Sequence, residues 1–431
     1  MLRNSISRLL RRQLVTDAFS LYAVQGLGYL IPLLVLPYLL RVLGPRGYGT
    51  IVLGQSLVGY ALIVTNFGFN FTASRDISVA RRDAKRVAKI YWTTMAAKCL
   101  LCVLSILGVA LTVLLIPAFR ADWNVFFACT VLVIGDVLFP QWYFQGLERL
   151  KEVALIQILS KLAIAGATIG FVRSSHDVVL AAVLSSAAQV CGFLFAIVLR
   201  KPVAPRDFYR PSVKEIGIGL ASSWHMFASN LSTTLYLNTN AFVLGLMRGP
   251  VDVAQYGLAN RLVVVLQGFA TPITQAVFPR ASLLFRENRA EAWRLIIRVA
   301  LFVLPTVGCA SLLVAIFAPQ IVALLGGHAY VDAIPAIRIM ALNPVLITAA
   351  GIPAQIVMVN TGLTKQMLRI YVCVGLVNLA ILPILVSMLS VLGAALSLTI
   401  SETLACSLMA WVVWRHRAIL GLYPVTPSSI G

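Results

Sequence analysis

The sequence predicts an all-α integral membrane protein with about twelve transmembrane helices in two six-helix lobes. The first observation is composition: of 431 residues, 60% are hydrophobic and 12% are charged, whereas soluble domains average about 25% charged residues. The second is the grouping of the apolar residues into segments of about 20 residues, the length that an α-helix needs to cross a bilayer. The third is a pattern that occurs once in each half of the chain.

That pattern is a membrane hairpin at the start of each half. In the first hairpin, Gly44-Pro45 is followed by Tyr48-Gly49, and in the second, Gly249-Pro250 is followed by Tyr256-Gly257. Each group lies in a short turn between two apolar segments. Since six crossings per half bring both halves into the membrane from the same side, the repeat is parallel, with its pseudo-twofold axis along the membrane normal. In transporters built this way the substrate site lies between the halves.

The predicted crossings divide the chain into two lobes. We expect an N-terminal lobe over 1–199, a cytoplasmic linker rich in proline and charge over 200–215, and a C-terminal lobe over 216–431. The loops are too short to hold a soluble catalytic domain. The twelve crossings are predicted at 17–40, 48–70, 91–117, 123–140, 153–172, 177–199, 216–246, 253–279, 295–318, 333–359, 368–388 and 391–413.

The basic residues predict the orientation of the chain. The net charge is +20, from 35 Lys+Arg against 15 Asp+Glu. With the N-terminus inside, 26 of the 35 lie in predicted inner segments and 5 in outer segments. Because cytoplasmic loops are enriched in Lys and Arg, we expect both termini in the cytoplasm. This topology accounts for most of the charge without a nucleic-acid partner.

No motif of the sequence predicts catalysis, a metal or a cofactor. Cys99 and Cys102 form a CxxC string, but they lie within a crossing, where small buried apolar residues are expected. Nucleotide-binding, metalloprotease and nucleophile-elbow motifs are missing from the sequence. The four histidines lie far apart. ATP-driven transport by this chain alone is therefore excluded.

Polar residues inside the predicted crossings carry the functional signal, because burying them in a membrane is costly. Crossing seven has hydroxyl and amide groups on one face, including Asn230, Thr234, Asn238 and Asn240. This face predicts either the wall of a water-filled cavity that binds hydroxyl groups, or hydrogen bonds to neighbouring helices. Amides and hydroxyls suit a sugar.

The intramembrane charges are mostly positive, which favours an anionic substrate. Lys98 and Lys161 lie about eight residues, or about 12 Å, from the predicted cytoplasmic side, and we expect both to face a cavity. Arg261, Arg338 and Arg41 lie closer to the outer side. Long cationic side chains near helix ends also reach the interface by snorkelling, so this alternative stays open, above all for Arg41 and Arg338.

Two carboxylates are candidates for ion coupling. Glu402 lies in the middle of crossing twelve, and Asp136 lies near the cytoplasmic end of crossing four. A buried carboxylate pairs with a cation or takes up a proton. For Glu402 the available cations are Arg261, Lys98 and Lys161, and protonation in one conformation alone would instead couple transport to proton movement.

Several segments resemble one family in their order and number. PYLLRVLGPRGYG, NFGFNFTASRDIS and FPQWYFQGLERL in the first half, with LNTNAFVLG, VAQYGLANRL and GIPAQIVMVNTGLTKQMLRIY in the second, resemble the Wzx-type oligosaccharide flippases. These form the polysaccharide-biosynthesis branch of the multidrug/oligosaccharidyl-lipid/polysaccharide exporter superfamily. The resemblance implies two lobes around a central cationic cavity. Asn66 stands where family members often carry an aspartate, which weakens ion coupling through crossing two.

The resemblance also implies a function. It predicts a flippase that moves an undecaprenyl-diphosphate-linked oligosaccharide across the bacterial inner membrane for O-antigen, capsule or exopolysaccharide, with a polymerase and chain-length regulator as possible partners. A cation-coupled multidrug antiporter and a membrane glycosyltransferase or polymerase are the alternatives. The predicted substrate-binding residues are Arg41, Asn66, Asn70, Arg75, Lys98, Lys161, Asn230, Thr234, Asn238, Asn240, Arg261 and Arg338.

Overall fold

The computed structural model describes residues 2–201 and 203–416, apart from the side chains of 2–25, 27, 29, 229, 232–237, 272, 276 and 279. Helices dominate the described residues, which include no β-strand. The first half contains α1 (Leu2–Asn66), α2 (Phe69–Ala80), α3 (Ala84–Leu115), α4 (Pro117–Arg120), α5 (Trp123–Cys129), α6 (Val131–Leu138), α7 (Gln141–Gly146), α8 (Leu150–Phe171), α9 (Val178–Ser186) and α10 (Ala188–Val198).

The second half continues the same all-helical architecture. A 3-10 helix (Gly327–Tyr330) follows α14, and a π-helix (Ile352–Met358) follows α16. The α-helices are α11 (Val213–Arg248), α12 (Pro250–Glu287), α13 (Arg289–Ile316), α14 (Ala318–Leu325), α15 (Ala333–Met340), α16 (Asn343–Gly351), α17 (Thr364–Leu389) and α18 (Val391–Arg415).

The predicted fold class is confirmed. By length and composition, eight described segments are able to span a membrane, or ten when each of two bent helix pairs counts as one span. One of the eight, 30–80, is 51 residues long and holds predicted crossing two and the end of crossing one. Predicted crossing seven lies on α11. The division into two lobes stays a prediction.

Three predicted crossings are interrupted where the sequence suggested continuous helices. Crossing four is divided between α5 and α6 and is followed by α7, and crossing ten is divided among α15, α16 and the π-helix. In crossing six, α9 and α10 meet at an angle of 54°. Proline supplies a local cause at two breaks, since Pro140 precedes α7 and Pro344 lies at the start of α16, and proline lacks the amide hydrogen that a continuous helix requires.

The two Gly-Pro turns share one backbone conformation. Gly44 has φ 67° and ψ 177°, and Gly249 has φ 91° and ψ −179°. The positive φ favours glycine, and the proline that follows suits the first turn of the next helix. At Gly249 the motif separates α11 from α12, and at Gly44 it breaks α1 into two helical segments at a kink, as the predicted repeat requires.

Close packing joins the two hairpins. A Cβ atom on Gly49 would lie 1.7 Å from the carbonyl oxygen of Pro250, and one on Gly257 would lie 3.2 Å from the side chain of Val52. The backbone of each hairpin therefore approaches the other more closely than a larger residue allows. This contact brings α1 and α12 together.

The linker between the halves is held by Glu215 at the start of α11. Its carboxylate lies 2.6 Å from Lys89 Nζ and accepts hydrogen bonds from Tyr209 Oη and the Ser212 amide. The bond from Lys89, followed by those from Ser212 and Tyr209, lowers the pKa of Glu215 to about 2. A carboxylate with a depressed pKa stays ionised until the pH falls toward that value, so this anchor persists at physiological pH.

The predicted orientation can be checked with reporter fusions. We expect a reporter fused after Arg206, in the linker, to be cytoplasmic, and one fused after Gly249, in the second Gly-Pro turn, to be external. The reason is the 26-to-5 distribution of basic residues. The measurement is paired alkaline phosphatase and fluorescent-protein activity. Reporters that lie on the same side would contradict the topology.

Candidate functional site

A cavity of about 360 Å³ lies between the two halves of the chain. Helices α1, α8, α9 and α10 line it from the first half, and α12 lines it from the second. Most of the wall is aliphatic, with Ile31, Val35 and Ile164 among its residues. The described lining residues include no acid. Two cations, Lys161 and Arg261, give the cavity its charge.

Lys161 brings a positive charge to the middle of α8. It lies eleven residues after Leu150, where α8 begins, which is about 16 Å along the helix. Its ammonium group donates to the carbonyl oxygen of Gly28 on α1, at 2.9 Å. That bond leaves other hydrogens of the ammonium group available to a ligand.

Arg261 supplies the second charge from the other half of the chain. It lies eleven residues after Pro250, where α12 begins, which is about 16 Å along the helix, and it lines the same cavity as Lys161. The charges of Arg261 and Lys161 are close enough to interact. Two like charges facing one apolar cavity favour a bound anion, because an anion offsets their mutual repulsion.

A few neutral polar groups complete the cavity. Gln55 Nε2 donates to Ser185 Oγ at 3.1 Å, which links α1 to α9 across the wall. Tyr48 and Thr168 also line the cavity. Gln55, Tyr48, Thr168 and Ser185 were absent from the predicted site. For Gln55 the signal was present, since an amide in the middle of crossing two is unusual in a lipid-facing helix.

Lys98 does not face this cavity, and that expectation is wrong. Its side chain is 1% exposed. Its ammonium group lies 2.8 Å from Asp136 Oδ2 and also donates to Asn66 Oδ1 at 3.2 Å. The three polar side chains lie inside the first half, where α1, α3 and α6 meet. Lys98 and Asp136 offset each other's charge there. This ion pair gives both charged residues a structural role within the first half.

Among the described side chains of crossing seven, several polar groups join neighbouring helices. Thr239 Oγ1 lies 2.7 Å from Tyr60 Oη, and Ser223 Oγ lies 2.7 Å from Thr72 Oγ1. Asn238 lies against Gly59. Among the α11 side chains that the structure describes, none lines the cavity. The expectation of a hydroxyl-binding wall is not met by these residues, whereas the alternative of hydrogen bonds between helices is; the side chain of Thr234 lies outside the described part.

A second polar cluster lies inside the second half. Asn378 Nδ2 donates to Ser397 Oγ and Ser401 Oγ, both at 3.0 Å. Asn240 is fully buried beside Tyr256, and Glu402, 2% exposed, lies close enough to Tyr256 to interact electrostatically. Asn240 and Glu402 therefore belong to the packing of α11, α12, α17 and α18, away from the cavity.

The remaining predicted site residues are not brought together. Arg41 donates to the carbonyl oxygen of Leu324, and Arg75 pairs with Asp76 at 2.9 Å on the surface. Asn70 and Arg338 are exposed, and Asn230 is half-buried. These residues do not line the cavity in the described structure. Of the twelve predicted substrate residues, the geometry assembles Lys161 and Arg261.

The sequence of this chain matches a known protein family. Residues 14–285 match the family described as polysaccharide biosynthesis protein. The chain belongs to this family. A relative from Escherichia coli (strain K12), named "Putative O-antigen transporter", is 30% identical over 94% of this chain and 97% of its own length. A protein of the same name from Shigella dysenteriae is 27% identical over 89% of this chain and 96% of its own.

Solved structures share the fold at low sequence identity. The lipid II flippase MurJ in an inward closed conformation is similar with a TM-score of 0.66 and 13% identity, over 94% of this chain and 89% of that one. An outward-facing multidrug resistance MATE transporter of the MOP superfamily has a TM-score of 0.56 and 17% identity, over 94% and 96%. Family and relatives define this chain as a multi-pass membrane transport protein of polysaccharide biosynthesis, not an enzyme.

Proposed function

We propose that this protein flips an undecaprenyl-diphosphate-linked oligosaccharide across the bacterial inner membrane to supply surface polysaccharide. The observation that carries the proposal is the pair of cations that line one cavity between the halves, Lys161 from one half and Arg261 from the other. A diphosphate supplies two negative groups for these cations, and charge-assisted hydrogen bonds to phosphate are among the stronger ones in proteins. The relatives named as O-antigen transporters support a polysaccharide precursor as substrate.

The size of the cavity favours alternating access. At about 360 Å³ the cavity is at the small end of ligand sites, which range from about 300 to 1,000 Å³. That volume suits the diphosphate and part of one sugar, so a whole repeat unit requires the halves to move apart. Rocking of the halves about this site would move the head group, while the prenyl tail stays in the bilayer between helices.

The same cavity argues against the alternative of a drug-cation antiporter. Cationic drugs require acidic groups, whereas the described lining carries two cations and no acid. The similarity to MATE structures concerns the fold. A glycosyltransferase or polymerase is disfavoured by the names of the relatives, which are transporters. A polymerase and a chain-length regulator are instead partners that act on the flipped product.

Deletion of the gene tests this function. We expect surface polysaccharide to be lost and a diphosphate-linked oligosaccharide to accumulate on the cytoplasmic leaflet, because synthesis continues while transfer stops. Mass spectrometry of the lipid extract identifies the glycan. Unchanged surface polysaccharide, with no accumulated lipid-linked glycan, would contradict the proposal.

Glu402 and Asp136 are the two predicted coupling candidates, and Asp136 forms an ion pair with Lys98. If Glu402 carries a coupling proton, replacing it with glutamine should reduce export severalfold and remove its dependence on an imposed pH gradient, because an amide keeps hydrogen bonding but cannot ionise. Export of lipid-linked glycan is measured in vesicles with and without the gradient. Normal, gradient-sensitive export by Glu402→Gln would exclude this role.

A further inference from the structure

A second cavity, of about 400 Å³, lies between α17 and α18. It is located where α17 begins and α18 ends, at the end of the bundle that carries the predicted cytoplasmic loops. Two arginines, Arg369 from α17 and Arg415 from α18, line it. This basic pocket shares no lining residue with the cavity between the halves, so the two are distinct sites.

The side chains of the basic pocket are partly ordered by their neighbours. The guanidinium of Arg415 lies over the ring of Trp411, 5.2 Å from its centroid, in a favourable cation–π arrangement. His416 Nδ1 lies 2.9 Å from the carbonyl oxygen of Val412 and must donate to it, so in the neutral ring Nε2 is an acceptor. Gln366 Nε2, 3.4 Å away, is the donor that joins α17 to α18.

The positive charge of the pocket is not offset by its own helices. Helix α17 contains no acidic residue. The acid nearest to Arg415 along α18 is Glu402, thirteen residues earlier, which is about 20 Å along a helix. Residues 417–431 contain no Asp or Glu. Within the described residues, neither Arg369 nor Arg415 forms an ion pair. The pocket therefore favours a ligand that carries negative charge.

The surroundings of the two arginines favour an anion that is attached to a lipid. Apolar side chains line the rest of the pocket, including Ile370 and Leu408. Farther along α17 the exposed surface is apolar, and Leu376 is 62% exposed. Trp411 and Trp414 are also exposed, and tryptophan is enriched where membrane proteins meet the head groups. A phosphate at the arginines would place acyl chains along this surface.

We propose that the basic pocket binds the phosphate of an anionic phospholipid from the predicted cytoplasmic leaflet. A planar guanidinium group, such as that of Arg369 or Arg415, can donate hydrogen bonds to two phosphate oxygens at once. Basic pockets between membrane helices on the cytoplasmic side are suited to anionic head groups. A phospholipid and free phosphate would both present a negatively charged phosphate group to these arginines. The lipid, rather than free phosphate, is the source that fits the apolar wall.

Native mass spectrometry of the purified full-length protein tests the proposal. The probes are phosphatidylglycerol, phosphatidylethanolamine and inorganic phosphate, each titrated separately. We expect one phosphatidylglycerol to bind at least tenfold more tightly than phosphatidylethanolamine. Arg369→Gln combined with Arg415→Gln should lower that affinity about tenfold or more, because two basic contacts are lost.

A matched double variant separates the pocket from general surface charge. Lys365→Gln with Arg294→Gln removes two exposed cations, from α17 and α13, that do not line the pocket. This control should keep the tight phosphatidylglycerol site. Equal loss in both double variants would overturn the proposal. Inorganic phosphate that binds as tightly as the lipid and displaces it would overturn the assignment to a lipid.

Discussion

Replacing Lys161 and Arg261 together with glutamine should abolish export of the lipid-linked glycan while the protein still inserts in the membrane. Each side chain would donate a charge-assisted hydrogen bond to the diphosphate, and such bonds contribute about 1.5–3 kcal/mol each. Loss of both corresponds to a decrease of about a hundredfold or more in head-group binding. The measurement is surface polysaccharide in a deletion strain complemented with each variant at matched protein levels.

Two other cations provide the control for this variant. Arg75 and Arg338 carry the same charge, are exposed and lie outside the cavity. The double variant Arg75→Gln with Arg338→Gln should export nearly as well as the original protein, because net charge alone does not form the site. If both double variants lose export equally, the cavity between the halves is not where the anion binds.

Replacing Lys98 with methionine should destabilise the fold instead of impairing substrate binding. Lys98 is fully buried and pairs with Asp136, which is 19% exposed. Removing one partner of a buried ion pair costs about 3–5 kcal/mol, because the other charge stays buried without compensation. The expected results are a lower protein level in the membrane and unfolding at a lower denaturant concentration.

Two further variants distinguish this effect from a role in transport. Combining Lys98→Met with Asp136→Leu removes both charges and should recover most of the lost stability, since replacing a buried ion pair by apolar side chains is often close to neutral. Lys161→Met should show the opposite pattern, with normal stability and reduced export. A Lys98→Met protein of normal stability that fails to export would contradict the structural role.

The sequence predicted the fold where local chemistry determines it. The Gly-Pro motifs at 44–45 and 249–250 predicted two equivalent turns, because few residues other than glycine adopt a positive φ directly before proline. The apolar segments predicted an all-helical membrane protein, although the described residues contain eight to ten candidate spans where twelve were predicted. The interruption of crossing ten by a π-helix was not predicted, since it depends on how neighbouring helices pack.

The site was harder to predict because it depends on contacts between residues that are distant in sequence. Lys98 and Lys161 lie at similar predicted depths on apolar helices, and depth alone does not separate them. The difference is that Asp136, on a neighbouring helix, pairs with Lys98, whereas Lys161 meets a backbone carbonyl beside a cavity. A signal for the pair was present, since Asp136 and Lys98 carry opposite charges in consecutive crossings.

Transfer between leaflets in reconstituted vesicles tests the central claim most directly. The purified protein is placed in vesicles with a diphosphate-linked oligosaccharide that bears a fluorophore on the glycan, and an impermeant quencher is added outside. The account predicts that the protected inner-leaflet fluorescence decays with the original protein and with Arg75→Gln/Arg338→Gln, but persists with Lys161→Gln/Arg261→Gln. Persistent fluorescence with the original protein, or equal decay with all three, would contradict it.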